Sequence, residues 1–263
     1  MLRSMLDYLL DKTDKMASTV TAARARVAFG SSTYFNPWGG PMNGQTARLE
    51  ATRQIIFRCD IQQIVETGTY RGVTTEWFAG FGLPVTTIES SESSYEFAKL
   101  RLRSRSNVRV HLGNSAEVLA ALAATMDKTA PTLFYLDAHW ESYLPLADEL
   151  RIILPQFPSS VIVIDDFQVA GDSGYGYDDY GGDKALTAAY LEQCVGSEVA
   201  KYYPSTPAIQ ETGRRRGCVV LTASSQMIAA LSGIDLLRRE PHESELSNKF
   251  TERFSEASVG SNS

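Results

Sequence analysis

The sequence predicts an open α/β sheet, mostly parallel and covered by helices on both faces, and three observations predict it. From Ile61 onward, short β-rich runs alternate with helical segments, the sign of a parallel sheet built from strand–helix units. The first unit passes from strand to helix through a glycine-punctuated turn, Glu66-Thr67-Gly68-Thr69-Tyr70-Arg71-Gly72. Each predicted strand ends in polar residues, which gathers chemistry on the sheet edge where open α/β folds bind ligands.

The elements follow in chain order. Met1 to Ala28 carries Leu2, Met5, Leu6, Leu9 and Leu10 on one helical face. This segment is expected to pack on the main domain or at a subunit contact, which leaves a homo-oligomer open. Asp7, Asp11 and Asp14 offset its basic residues and speak against membrane docking. Phe29 to Gly44 reads as a loop, with Tyr34, Phe35 and Trp38 either pinning it to the core or closing over a ligand. A helix over Gln45 to Phe57 completes an N-terminal cap (residues 1–57). The main domain is expected over 58–239, and a Ser/Glu-rich disordered tail from Glu240.

Within the main domain, strand one runs Ile61 to Val65 and ends in Glu66, with a helix from Val73 through Phe78. Strand two, Val85 to Ile88, ends in Glu89. The next helix, Ser93 to Leu102, is opened by Ser93 and Glu96 as a capping box. Strand three, Val108 to Leu112, leads through Gly113-Asn114-Ser115 into an alanine-rich helix reaching Ala124. Strand four, Thr132 to Leu136, ends in Asp137-Ala138-His139-Trp140, and a helix spans Leu144 to Leu154. Strand five, Val161 to Ile164, ends in Asp165-Asp166. Gln168 to Asp183 lacks apolar periodicity, and a loop of that length is expected to serve as a lid. A helix over Lys184 to Cys194 precedes two last strands, Val199 to Tyr203 and Gly217 to Leu221.

Composition removes several function classes. The chain has 263 residues, 43% of them hydrophobic, which suits one large α/β domain with additions. A net charge of −6 argues against a nucleic-acid partner, because phosphate-backbone binders show basic faces. Cys59, Cys194 and Cys218 form no CxxC pair and fit a reducing, cytoplasmic setting. No run of about 18 apolar residues appears, so no membrane span is expected. The N-terminus lacks the apolar core and cleavage site of a signal peptide.

The glycine spacing narrows the ligand. A dinucleotide turn needs glycine where Tyr70 stands, so that backbone can touch the pyrophosphate. S-adenosylmethionine has the ribose and adenine without a pyrophosphate, and is favoured over NAD. Glu66 and Glu89 are placed for the methionine and ribose ends, and Asn114-Ser115 for the adenine edge. Gly68, Thr69, Tyr70, Gly72 and Thr74 of the turn, with Ser90 after Glu89 and Asp137 beyond strand four, complete the candidate cofactor residues.

Asp137, Asp165 and Asp166 come from neighbouring strands, and three converging carboxylates would repel unless a cation such as Mg²⁺ joined them. The competing account makes Asp165 or Asp166 a turn cap. His139 is the candidate general base, with a hydrogen-bonded structural role as the alternative. Asp172, Asp178, Asp179 and Asp183 could select a polyhydroxylated acceptor, and Tyr175, Tyr177 and Tyr180 could stack on its rings. Arg214-Arg215-Arg216 reads as a charged turn or as an anion site.

The motif Glu66-x-Gly68-x-Tyr70-x-Gly72 resembles that of metal-dependent, catechol-type O-methyltransferases. Leu136-Asp137-Ala138-His139-Trp140 resembles their metal-binding segment, and Asp165-Asp166 their acidic pair after strand five, written Asp-Asp in the macrolide-sugar enzymes. Runs such as Pro41-Met42-Asn43-Gly44-Gln45 and Gly174 to Gly181 are similar to bacterial methyltransferase-like proteins of uncertain substrate. The resemblance implies a Rossmann-like class I methyltransferase fold, with a seven-stranded sheet and an antiparallel last strand. It also implies S-adenosylmethionine near Glu66, Gly68, Glu89 and Ser115, and a divalent cation on Asp137, Asp165 and Asp166. The expected reaction is methyl transfer to a hydroxyl of a small molecule such as a sugar or natural product. The rivals are an NAD-linked dehydrogenase and a non-catalytic scaffold on the same fold. Two departures stand out: Trp140 or Glu141 replaces the lysine after the first metal aspartate, and Asn114 replaces an aspartate.

Overall fold

The structure is a computed structural model that describes residues 36–139, 144–196 and 198–240. The expected N-terminal helix, most of the 29–44 loop's first half, Trp140, Glu141 and the tail beyond Glu240 lie outside the described residues. No helix among the described residues is long and apolar enough to cross a membrane.

Eight strands form one sheet in the order β3-β2-β1-β4-β5-β7-β6-β8. They are β1 (Gln63–Thr67), β2 (Val85–Glu89), β3 (Val108–Leu112), β4 (Thr132–Leu136), β5 (Ser160–Asp165), β6 (Ala200–Pro204), β7 (Cys218–Thr222) and β8 (Leu237–Arg239). β1 to β5 are parallel, β7 is antiparallel to both its neighbours, and β8 is antiparallel to β6. The seven-strand expectation therefore needs one addition, the short β8. Its three residues carry two arginines and too little apolar pattern to read as a strand. The chain reverses its winding between β1 and β4, the crevice position of this topology.

The helices are α1 (Thr46–Arg58), α2 (Val73–Ala79), α3 (Glu92–Leu102), α4 (Ser115–Ala123), α5 (Leu146–Gln156), α6 (Ala188–Glu192) and α7 (Ser225–Leu231). They divide between the faces of the sheet, as the alternation along β4 makes plain. Phe134 and Leu136 join Leu119 of α4 and Leu150 and Ile153 of α5 in one core. Leu133 and Tyr135 join Ile55 of α1, Phe78 of α2 and Met227 of α7 in the other. Burial on both faces explains why β4, β5 and β7 are apolar without alternation.

Helix starts follow side-chain chemistry. Asn114 caps α4 by accepting from the Ala116 and Glu117 N–H groups. At α3 the cap is Ser91, which accepts from Ser94, so the capping box expected at Ser93 and Glu96 is displaced by two residues. The α1 N-terminus is satisfied from far away in sequence. The Glu211 carboxylate accepts from the Ala47 and Arg48 N–H groups at 3.2 Å each, and the Thr212 hydroxyl from Thr46 at 2.8 Å. The helix expected from Lys184 shortens to α6 because Leu186 is buried and its backbone bonds to Gln168 and Asp178.

The 168–183 stretch is stitched down rather than left as a lid. Asp178 N–H donates to the Asp166 carbonyl, Gly176 bridges to Arg216, and the Asp172 carboxylate accepts from Ala208. Tyr175 is a core residue whose hydroxyl donates to the Thr206 carbonyl at 2.9 Å, so it offers no stacking surface.

Candidate functional site

The turn after β1 is held by its neighbours. Gly68 and Thr69 N–H both donate to the Ile88 carbonyl, at 2.9 and 3.2 Å. Gly68 has φ +85°, and a Cβ there would collide with the Asp137 carbonyl, so only glycine lets the β1 and β4 ends meet. Tyr70, at φ +47°, donates its N–H to the Glu89 carboxylate at 2.6 Å, and Ser91 N–H takes the other oxygen at 2.7 Å. Burial raises the Glu89 pKa, and these backbone donors counter it.

A cavity of about 440 Å³ opens at this edge. Of the expected cofactor residues, Gly68, Thr69, Tyr70, Thr74, Glu89, Ser90, Ser115 and Asp137 line it. Three do not. Glu66 is turned into the protein, where one carboxylate oxygen accepts from the Thr75 and Thr87 hydroxyls at 2.5 and 2.6 Å. Burial there pushes its pKa up to about 7. Gly72 opens α2 in the left-handed conformation against Leu102, and Asn114 is engaged as the α4 cap. Their positions fit framework roles rather than ligand contact.

His139, Asp165 and Asp166 line the same cavity with Asp137. Asp165 is already paired. The buried Arg48 guanidinium donates to it, Tyr135 hydroxyl donates at 2.5 Å and Asp166 N–H at 2.7 Å. Burial opposes ionisation, but these partners outweigh it and hold the Asp165 pKa below the usual carboxylate value. Arg48 also donates to the Arg216 carbonyl. Asp166 sits at φ +51°, and its carboxylate accepts from Arg216 Nε at 2.6 Å; the same guanidinium pairs with Asp178. Burial, then Asp165, pushes Asp166 up to about 7. Burial and the same two aspartates raise Asp137 well above the ordinary value.

The trio able to meet on one cation is therefore Asp137, His139 and Asp166, whose ligand atoms lie within 4.8 Å of one another, rather than the trio with Asp165. His139 Nε2 is buried without a hydrogen-bond partner, 3.7 Å from Asp137 and 3.9 Å from Asp178. Burial lowers its pKa despite those carboxylates, leaving a neutral imidazole with a lone pair. Four aspartates here face the guanidiniums of Arg48 and Arg216, leaving an excess negative charge that suits a divalent cation.

Sequence reading missed Arg48, Tyr135 and Glu149. Arg48 shares the α1 face of Ala51, Thr52, Ile55 and Ile56, and Glu149 that of Leu146, Leu150 and Ile153 on α5. A charged residue in phase with an apolar stripe was the available signal. Glu149 lies with Thr67 and Ser115, and burial pushes it up to about 7 against their hydroxyls. Backbone strain also marks the site. Among seven non-glycine residues at positive φ, Trp38, Met42, Asn43, Tyr70 and Asp166 all line the cavity.

No protein-family model matches the chain, and no curated protein matches it. Solved structures do. A proposed caffeoyl-CoA O-methyltransferase from Staphylococcus aureus superposes with TM-score 0.51 at 18% identity, covering 82% of this chain and 97% of that one. TomG from Streptomyces achromogenes, an O-methyltransferase of tomaymycin synthesis solved with S-adenosylmethionine, gives 0.48 at 20% identity over 67% and 80%. An O-methyltransferase from Bacillus cereus, in complex with S-adenosylhomocysteine, gives 0.48 at 17% over 81% and 88%. The chain has the class I methyltransferase fold.

Proposed function

We propose that this protein is an S-adenosylmethionine-dependent O-methyltransferase acting, in the cytoplasm, on a hydroxylated small molecule. The observation that carries the proposal is the meeting of the Gly68 turn with Asp137, which puts the anchored Glu89 and the acidic cluster on one cavity. S-adenosylmethionine supplies an activated methyl group, so the protein has only to align an acceptor oxygen about 3 Å from it and take up a proton. The Tyr70 turn and Glu89 hold the nucleoside side. Asp137, whose side chain is 37% exposed, receives the hydroxyl proton. An NAD enzyme is disfavoured because Tyr70 N–H is spent on Glu89, whose carboxylate sits where a diphosphate would need donors.

The residues fit a divalent cation held by Asp137, His139 and Asp166, since the orphaned His139 Nε2 points among carboxylates. Such a cation would lower the pKa of the acceptor hydroxyl. His139 then serves as ligand in place of general base, because one lone pair cannot do both. Calorimetric titration with S-adenosylhomocysteine and with NAD tests the cofactor: binding of the first alone is expected, and binding of NAD alone defeats the proposal. Activity that survives EDTA unchanged would remove the cation.

A further inference from the structure

We infer that Trp38 and Arg214 form an anion-recognising subsite, so that the acceptor carries a carboxylate or phosphate besides its hydroxyl. The inference rests on the methyltransferase reading for the word acceptor, and on separate geometry for the subsite. The Arg214 guanidinium lies 3.9 Å from the Trp38 ring centroid, and both side chains line the cavity that Asp137 and Glu89 line. Trp38 is 38% exposed, a large apolar ring kept at a cavity wall instead of in the core.

Two loops hold this stack in place at a cost in backbone strain. Trp38 has φ +62° and Arg215 φ +52°. Arg214 N–H donates to the Asn43 carbonyl at 3.0 Å, and Thr212 hydroxyl to the Gly44 carbonyl at 2.9 Å. Between them Gly213 (φ +63°) passes so close that a Cβ would collide with the Asn43 carbonyl. Strain of this kind persists where a side chain must be presented in a set geometry. An aromatic face orients a planar guanidinium and leaves its edge N–H groups directed away from the ring, the arrangement that takes carboxylate or phosphate oxygens in pairs. Arg216, two residues on, is committed to Asp166 and Asp178, which separates the cation-facing arginine from the ring-stacked one.

The test uses the full chain, with and without S-adenosylhomocysteine, titrated with benzoate, phenyl phosphate and neutral benzyl alcohol. At least one anion should bind about tenfold more tightly than the alcohol, as expected for charge-assisted hydrogen bonds. Arg214→Met should erase that preference and Arg214→Lys should keep part of it, and the better of the two anions identifies the group. Equal binding of all three probes, or a preference that Arg214→Met leaves intact, overturns the subsite. Failure of S-adenosylhomocysteine to bind strikes the methyl-transfer reading alone, because the anion titration still decides the subsite.

Discussion

At the scale of single residues, the buried Arg48–Asp165 pair is the sharpest feature, with side chains only 3% and 2% exposed. Arg48→Met leaves an unpaired buried carboxylate and should cost about 3–5 kcal/mol in urea unfolding. Adding Asp165→Asn should restore much of that loss, since the second change removes the orphaned charge. Glu66 gives a pH signature. Its folded pKa is pushed up from 4.5 to about 7, so the folded state holds a proton that the unfolded chain has lost across that window. Stability therefore falls as pH rises through that window, by roughly 1.4 kcal/mol for each pH unit, and the full penalty applies above the folded pKa. Glu66→Gln keeps an oxygen for Thr75 and Thr87 and removes the charge, so unfolding above the window should shift to higher urea while unfolding at its acid end changes little. An unchanged pH profile would place the titration elsewhere.

Elements carry the next two expectations. Gly68→Ala forces a side chain against the Asp137 carbonyl at φ +85°. It should weaken S-adenosylhomocysteine binding by about tenfold or more in calorimetry, the scale of 1–3 kcal/mol of local strain. At α3, Ser91→Ala should cost about 1 kcal/mol whereas Ser93→Ala should be close to neutral, because only Ser91 accepts from Ser94. The reason the sequence misplaced that cap is physical. Glu92 and Ser93 read equally well as turn or first helical turn, and nothing local decides between serines two apart. The strands were far more legible: β3 and β4 have the expected limits, and β1, β2 and β5 come within two residues, because apolar runs bounded by polar ends specify strands locally. What could not be read was pairing across distance. Arg48 with Asp165, and Glu211 with α1, join residues more than a hundred positions apart.

For the whole molecule, binding and folding are linked. S-adenosylhomocysteine at a hundred times its Kd should raise stability by about 2.7 kcal/mol, read as an upward shift of Tm that NAD does not reproduce. The eight-stranded order explains why the acidic edge was visible in sequence while its electrostatics were not. Strand ends announce their carboxylates, whereas the guanidiniums that offset them arrive from α1 and from the turn before β7. The Glu211–Thr212 clamp on α1 has a temporal side as well. A chain emerging from the ribosome completes β1 to β5 with the nucleotide-facing loops, yet the roof that Arg214, Arg216 and the clamp provide is synthesised only afterwards. Nascent protein stalled before residue 211 would thus present an open trough in place of a closed reaction chamber, and catalytic competence would switch on late, with the insertion of β7 between β5 and β6.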